Sequence, residues 1–423
     1  MQRLKWRGWS SVVLVMCACG GAWAQSSGSG LTWEQIKAKF LAANPNLKAG
    51  ELNIQESKAQ EITAYLRPNP DFTATLDQLD PFSANPYRPF GNTLPLFSFS
   101  YLHERQHKRE LRLESAQAGT AIAATQLQDL ERTLLFNLRG AFVQTLEAKA
   151  LLANAKENLD YFAKQVGINR DRFKAGDIAR VDLDRVLLQK SQYEADYQNA
   201  QVNMRTAKIT LLMLLNERTP VDKFDVTGPF QFSDNLMPLE AFHSEALATR
   251  PDLKSAMLAV KKAQTDHKLA VANGSTDPTF GVDLGRNPPI PVYMGVNVTI
   301  PLRIFDRNQG EKARTQVDII HAERQRDAAE AQVFSDVDSA YFTLVATLNQ
   351  LREYAGADGY LQSSARIRET ISFSFQHGEA ALLDYLDAQR DYRATQVQYL
   401  SLIGSYLTAA GQLNLAVGRE VMQ

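Results

Sequence analysis

The sequence predicts a mainly α protein with a small β part: duplicated long antiparallel coiled-coil helices and four β-strands per chain. Three observations carry this. The sixteen prolines fall only within 45–95 and 220–301, leaving proline-free tracts at 96–219 and 302–423. Proline lacks a donor N–H and clashes with the preceding turn, so tracts of this length suit long helices. Motifs in one tract recur in the other at a shift of 202, and the stretches between helices alternate apolar with small or polar side chains, as strands do.

The first residues, MQRLKWRGWSSVVLVMCACGGAWAQ, place Arg3, Lys5 and Arg7 before an apolar run of about ten residues and then Ala22-Trp23-Ala24, the pattern of a secretory signal peptide over 1–24. Acylation at Cys19 is the alternative. Both cysteines, Cys17 and Cys19, lie in this segment, so the mature chain relies on packing and forms no disulfide. The 46 Lys and Arg, less Arg3, Lys5 and Arg7, face 47 Asp and Glu, a formal mature charge of −4 that offers no basic field to nucleic acid. After Gln25 no run approaches the roughly 18 to 20 uninterrupted apolar residues of a spanning helix. A membrane crossing would have to use strands.

The first repeat is expected over 25–219: a helix, a β-hairpin about 71–102, a long helix 108–174 and a helix 179–216. A linker follows at 220–238. The second repeat, 239–423, repeats the order with a helix, a hairpin about 278–302, a long helix 308–376 and a helix 379–418. ANPNLKAG at Ala43 resembles TRPDLKSA at Thr249, and NPDF at Asn69 resembles DPTF at Asp277. Each long helix spans roughly 100 Å at 1.5 Å per residue. Inside it, Ala141-Phe142 aligns with Ala340-Tyr341 at a shift of 199, three residues out of step with the turn that follows.

From Leu183, steps of three and four give Val186, Lys190, Tyr193, Tyr197, Ala200, Met204, Ala207, Leu211 and Leu214. All but Lys190 are apolar or aromatic, which is a coiled-coil seam. The same positions in the second repeat run from Tyr385 through Leu402 and Tyr406 to Ala416. A soluble antiparallel bundle accounts for this feature equally well.

In the strands, Phe72, Ala74 and Leu76, then Phe97, Phe99 and Tyr101, Phe280, Val282 and Leu284, and Met294, Val296, Val298 and Ile300 share a face. This is the alternation of a lipid-facing barrel strand, and equally of a half-buried strand in a soluble sheet. Four strands cannot close a barrel and lipid tolerates no open edge. A membrane role therefore needs oligomerisation, and three chains would supply twelve strands.

Two turn motifs carry a family resemblance: Arg172-Phe173-Lys174-Ala175-Gly176 followed by Val181-Asp182, and Phe375-Gln376-His377-Gly378 followed by Leu383-Asp384-Tyr385-Leu386-Asp387-Ala388. With the duplicated hairpin-and-coil plan, the chain resembles the TolC-like outer-membrane efflux proteins. The resemblance implies a homotrimer in the outer membrane with a periplasmic extension and a transmembrane 12-stranded barrel in lipid. It implies a passive exit duct that serves an inner-membrane pump through a periplasmic adaptor, with type I protein secretion as the alternative use. No enzyme activity and no cofactor is implied. The turns at Phe173, Ala175, Gly176, Asp177, Asp182, Phe375, His377, Gly378 and Glu379 would form the periplasmic tip where the adaptor docks. Asp384 and Asp387, one helical turn apart, would ring the tunnel entrance; as acids early in a helix they also suit its dipole. Family members can latch the tip with a basic residue two positions after the second glycine. Here Ala380 stands there, and Phe375 lacks a hydroxyl.

His103-Glu104-Arg105-Gln106-His107 reads as H-E-x-x-H, a zinc-protease pattern when helical. No third ligand follows it, and at the 202 shift it lies over Phe305-Asp306-Arg307-Asn308-Gln309. Both histidines are lost there, so Glu104 and Asp306 read as acids at a helix start. A periplasmic coiled-coil scaffold explains the helices and turns but not the alternating hairpins.

Overall fold

A computed structural model describes residues 30–82 and 86–422; the signal segment expected at 1–24 lies outside them. The chain runs α1 (Trp33–Ala43), α2 (Pro45–Tyr65), β1 (Asp71–Asp77), β2 (Leu94–Leu102), α3 (Lys108–Ala175) and α4 (Arg180–Leu214). It then repeats as α5 (Leu239–Thr249), α6 (Pro251–Asn273), β3 (Thr279–Asn287), β4 (Ile290–Thr299), α7 (Gln309–Ala355), α8 (Tyr360–Gln376) and α9 (Leu382–Val417). The described residues are mostly helical with one four-stranded sheet.

Two divisions correct the expected helices. Each repeat opens with two helices rather than one, split before Pro45 and Pro251. A residue before proline is pushed from the α region, and Asn44 and Arg250 are extended at ψ 121 and 122°. The helix expected at 308–376 is also broken: α7 ends at Ala355 and α8 starts at Tyr360, with Gly356 and Gly359 extended between them. The alignment shift passes from 199 before this break to 202 after it. The three extra residues of the second repeat are spent in this non-helical link, and α3, without them, stays continuous for 68 residues.

α3 packs along α2, α4, α6 and α9, while α7 packs on α6 and α9. Of the seam positions, Leu183, Val186, Tyr193, Met204 and Leu211 in α4 and Tyr385, Ala388, Leu402, Tyr406, Ala409, Leu413 and Ala416 in α9 are buried, and the others are half-buried. Three apolar clusters result among the described residues. One joins α5, α7 and α9 around Phe242, Leu344 and Tyr406, and one joins α1, α3 and α4 around Phe40, Phe142 and Leu211. The third lies near the glycine turns. Among the described residues α9 is long and apolar enough to span a membrane, but 61% of that window is buried within the chain, as suits a core helix.

Candidate functional site

The sheet has the order β1-β2-β3-β4, antiparallel throughout. Its register lines the apolar positions up across strands: Phe72 faces Phe99, Ala74 faces Phe97, Phe97 faces Leu284, Phe99 faces Val282, Tyr101 faces Phe280, Val282 faces Val296 and Leu284 faces Met294. Leu76 and Val298 extend the band, and Ile300 follows one residue past β4. Most of these side chains are exposed, Val296 by 83% and Met294 by 76%. A sheet face of this size left open to water would lose the burial that drives folding, about 25 cal/mol per Å² of apolar surface. The other face carries Thr73, Ser98, Ser100, Asp283 and Asn297, and neither β1 nor β4 has a second neighbour among the described residues.

At the sheet-to-helix junction, His103–His107 is not helical. His103 N donates to Pro278 O at 2.9 Å, and Gln106 and His107 have positive φ of 59 and 55°. The two histidines therefore lack the helical face on which H-E-x-x-H would gather a metal. The expected acid cap is corrected as well. His107 and Asn308, both left-handed, are the N-caps of α3 and α7 and make no side-chain cap bond. Glu104 instead accepts from both terminal nitrogens of Arg112, one at 2.9 Å, and Asp306 accepts from Asn308 N at 2.8 Å. These N-caps stand 201 apart, one residue off the turn register. Asp277 ties the junction together: it accepts from Arg105 N at 2.9 Å and pairs with the buried Lys108 at 2.6 Å.

The opposite end is built by the two glycine turns. Gly176 and Gly378 have φ of 86 and 82°, a conformation glycine reaches without a Cβ penalty. Asp177 N donates to Arg172 O at 2.9 Å and Glu379 N to Ser374 O at 2.8 Å, closing both helix ends alike. Ala175, Asp177, His377 and Glu379 are exposed and Phe173 is half-buried. Phe375 is not outward-facing: it is buried and stacks on Tyr385 with ring centres 4.8 Å apart. Asp384 is exposed. Asp387 pairs with Arg390 at 3.1 Å and Asp182 with Arg185 at 3.5 Å, each within its own helix.

Arginine-aromatic contacts join the two hairpins here, and the sequence reading missed them. Arg172 of α3 donates to Phe375 O at 3.3 Å and sits 5.1 Å from that ring. Arg368 of α8 lies 3.8 Å over Tyr392 and 5.2 Å from Tyr161. Arg393 of α9 ion-pairs with Asp196 and sits 5.0 Å over Tyr193 of α4. Such contacts contribute about 0.5–2 kcal/mol each, more where desolvated. Ala380 packs into the same aromatic cluster. Burial, then the neighbouring phenols of Tyr161 and Tyr193, push the Tyr385 hydroxyl well above its ordinary pKa.

Residues 243–419 match the family described as Outer membrane efflux protein. The chain is 24% identical over 403 residues to the cobalt-zinc-cadmium resistance protein CzcC of Cupriavidus metallidurans, spanning 92% of this chain and 90% of that one. It is 21% identical to the outer membrane protein TolC of Escherichia coli over 84% of this chain and 75% of that one. In fold it is similar to solved structures of CusC (TM-score 0.76, 16% identity, 92% of each chain). It is also similar to that of the outer membrane protein VceC of Vibrio cholerae (TM-score 0.74, 15% identity, 92% of this chain and 97% of that one).

Proposed function

We propose that this TolC-like outer-membrane efflux protein is a passive exit duct, in which three copies close a twelve-stranded barrel and continue it as a periplasmic helical tunnel. The observation that carries this reading is a sheet with an exposed apolar face and two open edges, mounted on a 68-residue helix of about 100 Å. Lipid is the solvent that such a face suits, and lipid tolerates no unpaired strand edge. Pairing β4 of one copy with β1 of the next satisfies both edges. The match to the outer membrane efflux family and the fold shared with solved outer-membrane proteins support the same reading.

In this assembly the apolar band from Phe72 to Ile300 faces lipid. The turns around Gly176 and Gly378 form the tip that receives a periplasmic adaptor, and an inner-membrane pump supplies the driving force. Six carboxylates from Asp384 and Asp387 would then surround the entrance and favour cations. The chain performs no catalysis. The relative named for cobalt, zinc and cadmium resistance makes metal cations the substrate class to test first.

The decisive experiment is membrane extraction followed by single-particle imaging. A barrel stays in the membrane through salt and alkali, needs detergent, and gives hollow three-fold particles well over about 100 Å long. Release by alkali, or compact globules in detergent, overturns the proposal. Metal tolerance of cells with and without the chain tests the substrate class separately.

A further inference from the structure

The polar face of the sheet has a one-sided charge pattern. Across the four strands the charged residues are Asp71, Asp77, Asp283 and Arg286. Alternation groups the three aspartates with Thr73, Thr75, Ser98 and Asn297. Arg286 has the parity of Val282 and Leu284, on the apolar side, and sits at the register shift between Gly285 and Asn287. The register spreads the acids along the strands: Asp71 faces Ser100, Asp283 faces Ser98, and Asp77 faces Leu94.

Asp283, in the middle of this face, is held from both sides. Ser98 Oγ on β2 donates to it at 2.6 Å, and Asn297 Nδ2 on β4 donates at 2.8 Å. Asn297 reaches it by lying across Gly281, where a Cβ would stand 2.5 Å from Asn297 Oδ1. Glycine at 281 is thus what opens the path. Both donors are neutral, so they orient the carboxylate without cancelling its charge. The site is built to fix a negative charge in place, unlike the ion-paired aspartates of the helices.

We infer that Asp283 sets the ion selectivity of the barrel, as a stage separate from the tip carboxylates. The inference rests on the three-chain duct reading, in which the polar face lines the lumen. Three-fold symmetry then puts three Asp283 side chains on one level, between a level of Asp77 and a level of Asp71. A strand lining with acidic levels and, among the described strand residues, no basic one admits inorganic and organic cations and disfavours anions.

The test uses the full-length protein, purified in detergent and inserted into planar bilayers under a potassium chloride gradient. The reversal potential reads the potassium-to-chloride permeability ratio. Asp283→Asn lowers that ratio by about two-fold or more, and Asp283→Lys turns the preference toward chloride. Hexaamminecobalt(III) added on the barrel side blocks the wild type and blocks Asp283→Asn less. Conducting channels whose ratio is unchanged in both substitutions overturn the inference. A wild type that forms no channel overturns the duct reading instead. Should the Asp283 variants fail to assemble, Asp71→Asn/Asp77→Asn decides: it keeps most of the cation preference, and loss of the preference there removes the assignment to Asp283.

Discussion

Asn44 and Arg250 stand at the same place in the two repeats, each just before the proline that starts a helix, and they meet its demands differently. Both backbones are extended and both side chains are buried, at 7% and 3% exposure. Asn44 caps α2 by accepting from Asn46 N at 2.9 Å and Leu47 N at 3.2 Å. Arg250 has no acceptor to offer. It pairs with Asp252 at 2.6 Å and Asp336 at 2.8 Å and donates to Ala416 O at 3.2 Å, so one side chain ties α6, α7 and α9. After duplication the backbone requirement of X-Pro persisted in both copies, while the side chain was free to take either a local or a tertiary task.

The comparison predicts unequal losses. Arg250→Ala leaves a buried void, leaves Asp252 with only the more distant Arg132 and Asp336 with only Gln332, and costs about 3 kcal/mol, read as a large fall in the melting temperature of the detergent-purified protein. Equal losses for Arg250→Ala and Asn44→Ala would erase the distinction. The same network gives a pH dependence. Burial pushes the Asp252 carboxyl up, but the Arg250 hydrogen bond and charge, with help from Arg132, outweigh it and hold the group below its ordinary value. A depressed carboxylate contributes stability above its unfolded pKa and loses it as pH falls through the folded value. Heat resistance therefore drops below about pH 4, and Asp252→Asn flattens that acid limb.

Smaller effects sharpen the correspondence of the turns. Gly176→Ala and Gly378→Ala each cost about 1–2 kcal/mol through φ alone, because nothing lies within 4 Å of either added Cβ. Matching losses confirm that the two turns are equivalent. Asn44→Ala costs about 1 kcal/mol as a lost cap. Gly167→Ala, in the continuous α3 with open space around it, gains about 0.5–1 kcal/mol in thermal denaturation. Gly359→Ala goes the other way: its Cβ meets Tyr354 O at 2.6 Å, in the link that α3 lacks.

The seam from Leu183 to Leu214 and the alternation of the four strands were legible because each depends on a period within one element. The glycine turns were legible because positive φ restricts the residue type. The break at 356–359 was visible only as a three-residue slip, since Gly356 and Gly359 lie in a proline-free tract that otherwise reads as helix. Phe375 was expected at the docking tip, and its burial was not legible because it depends on stacking with Tyr385 from the next helix. The contacts of Arg172, Arg368 and Arg393 depend on two hairpins lying side by side, which no spacing along the chain encodes. His103 and His107 show the converse: their spacing fits a metal motif, and the helix that would give it meaning begins only at Lys108.

In the trimeric reading, the open edges of β1 and β4 also bear on inheritance. A chain damaged at one edge cannot be silently bypassed, because it leaves a gap in every ring that accepts it. If a cell makes sound and edge-damaged copies in equal amounts and they mix at random, only about one-eighth of the trimers contain three sound chains. Alleles that disrupt β1 or β4 without preventing assembly should then be dominant, whereas alleles that prevent the chain from folding at all should be recessive.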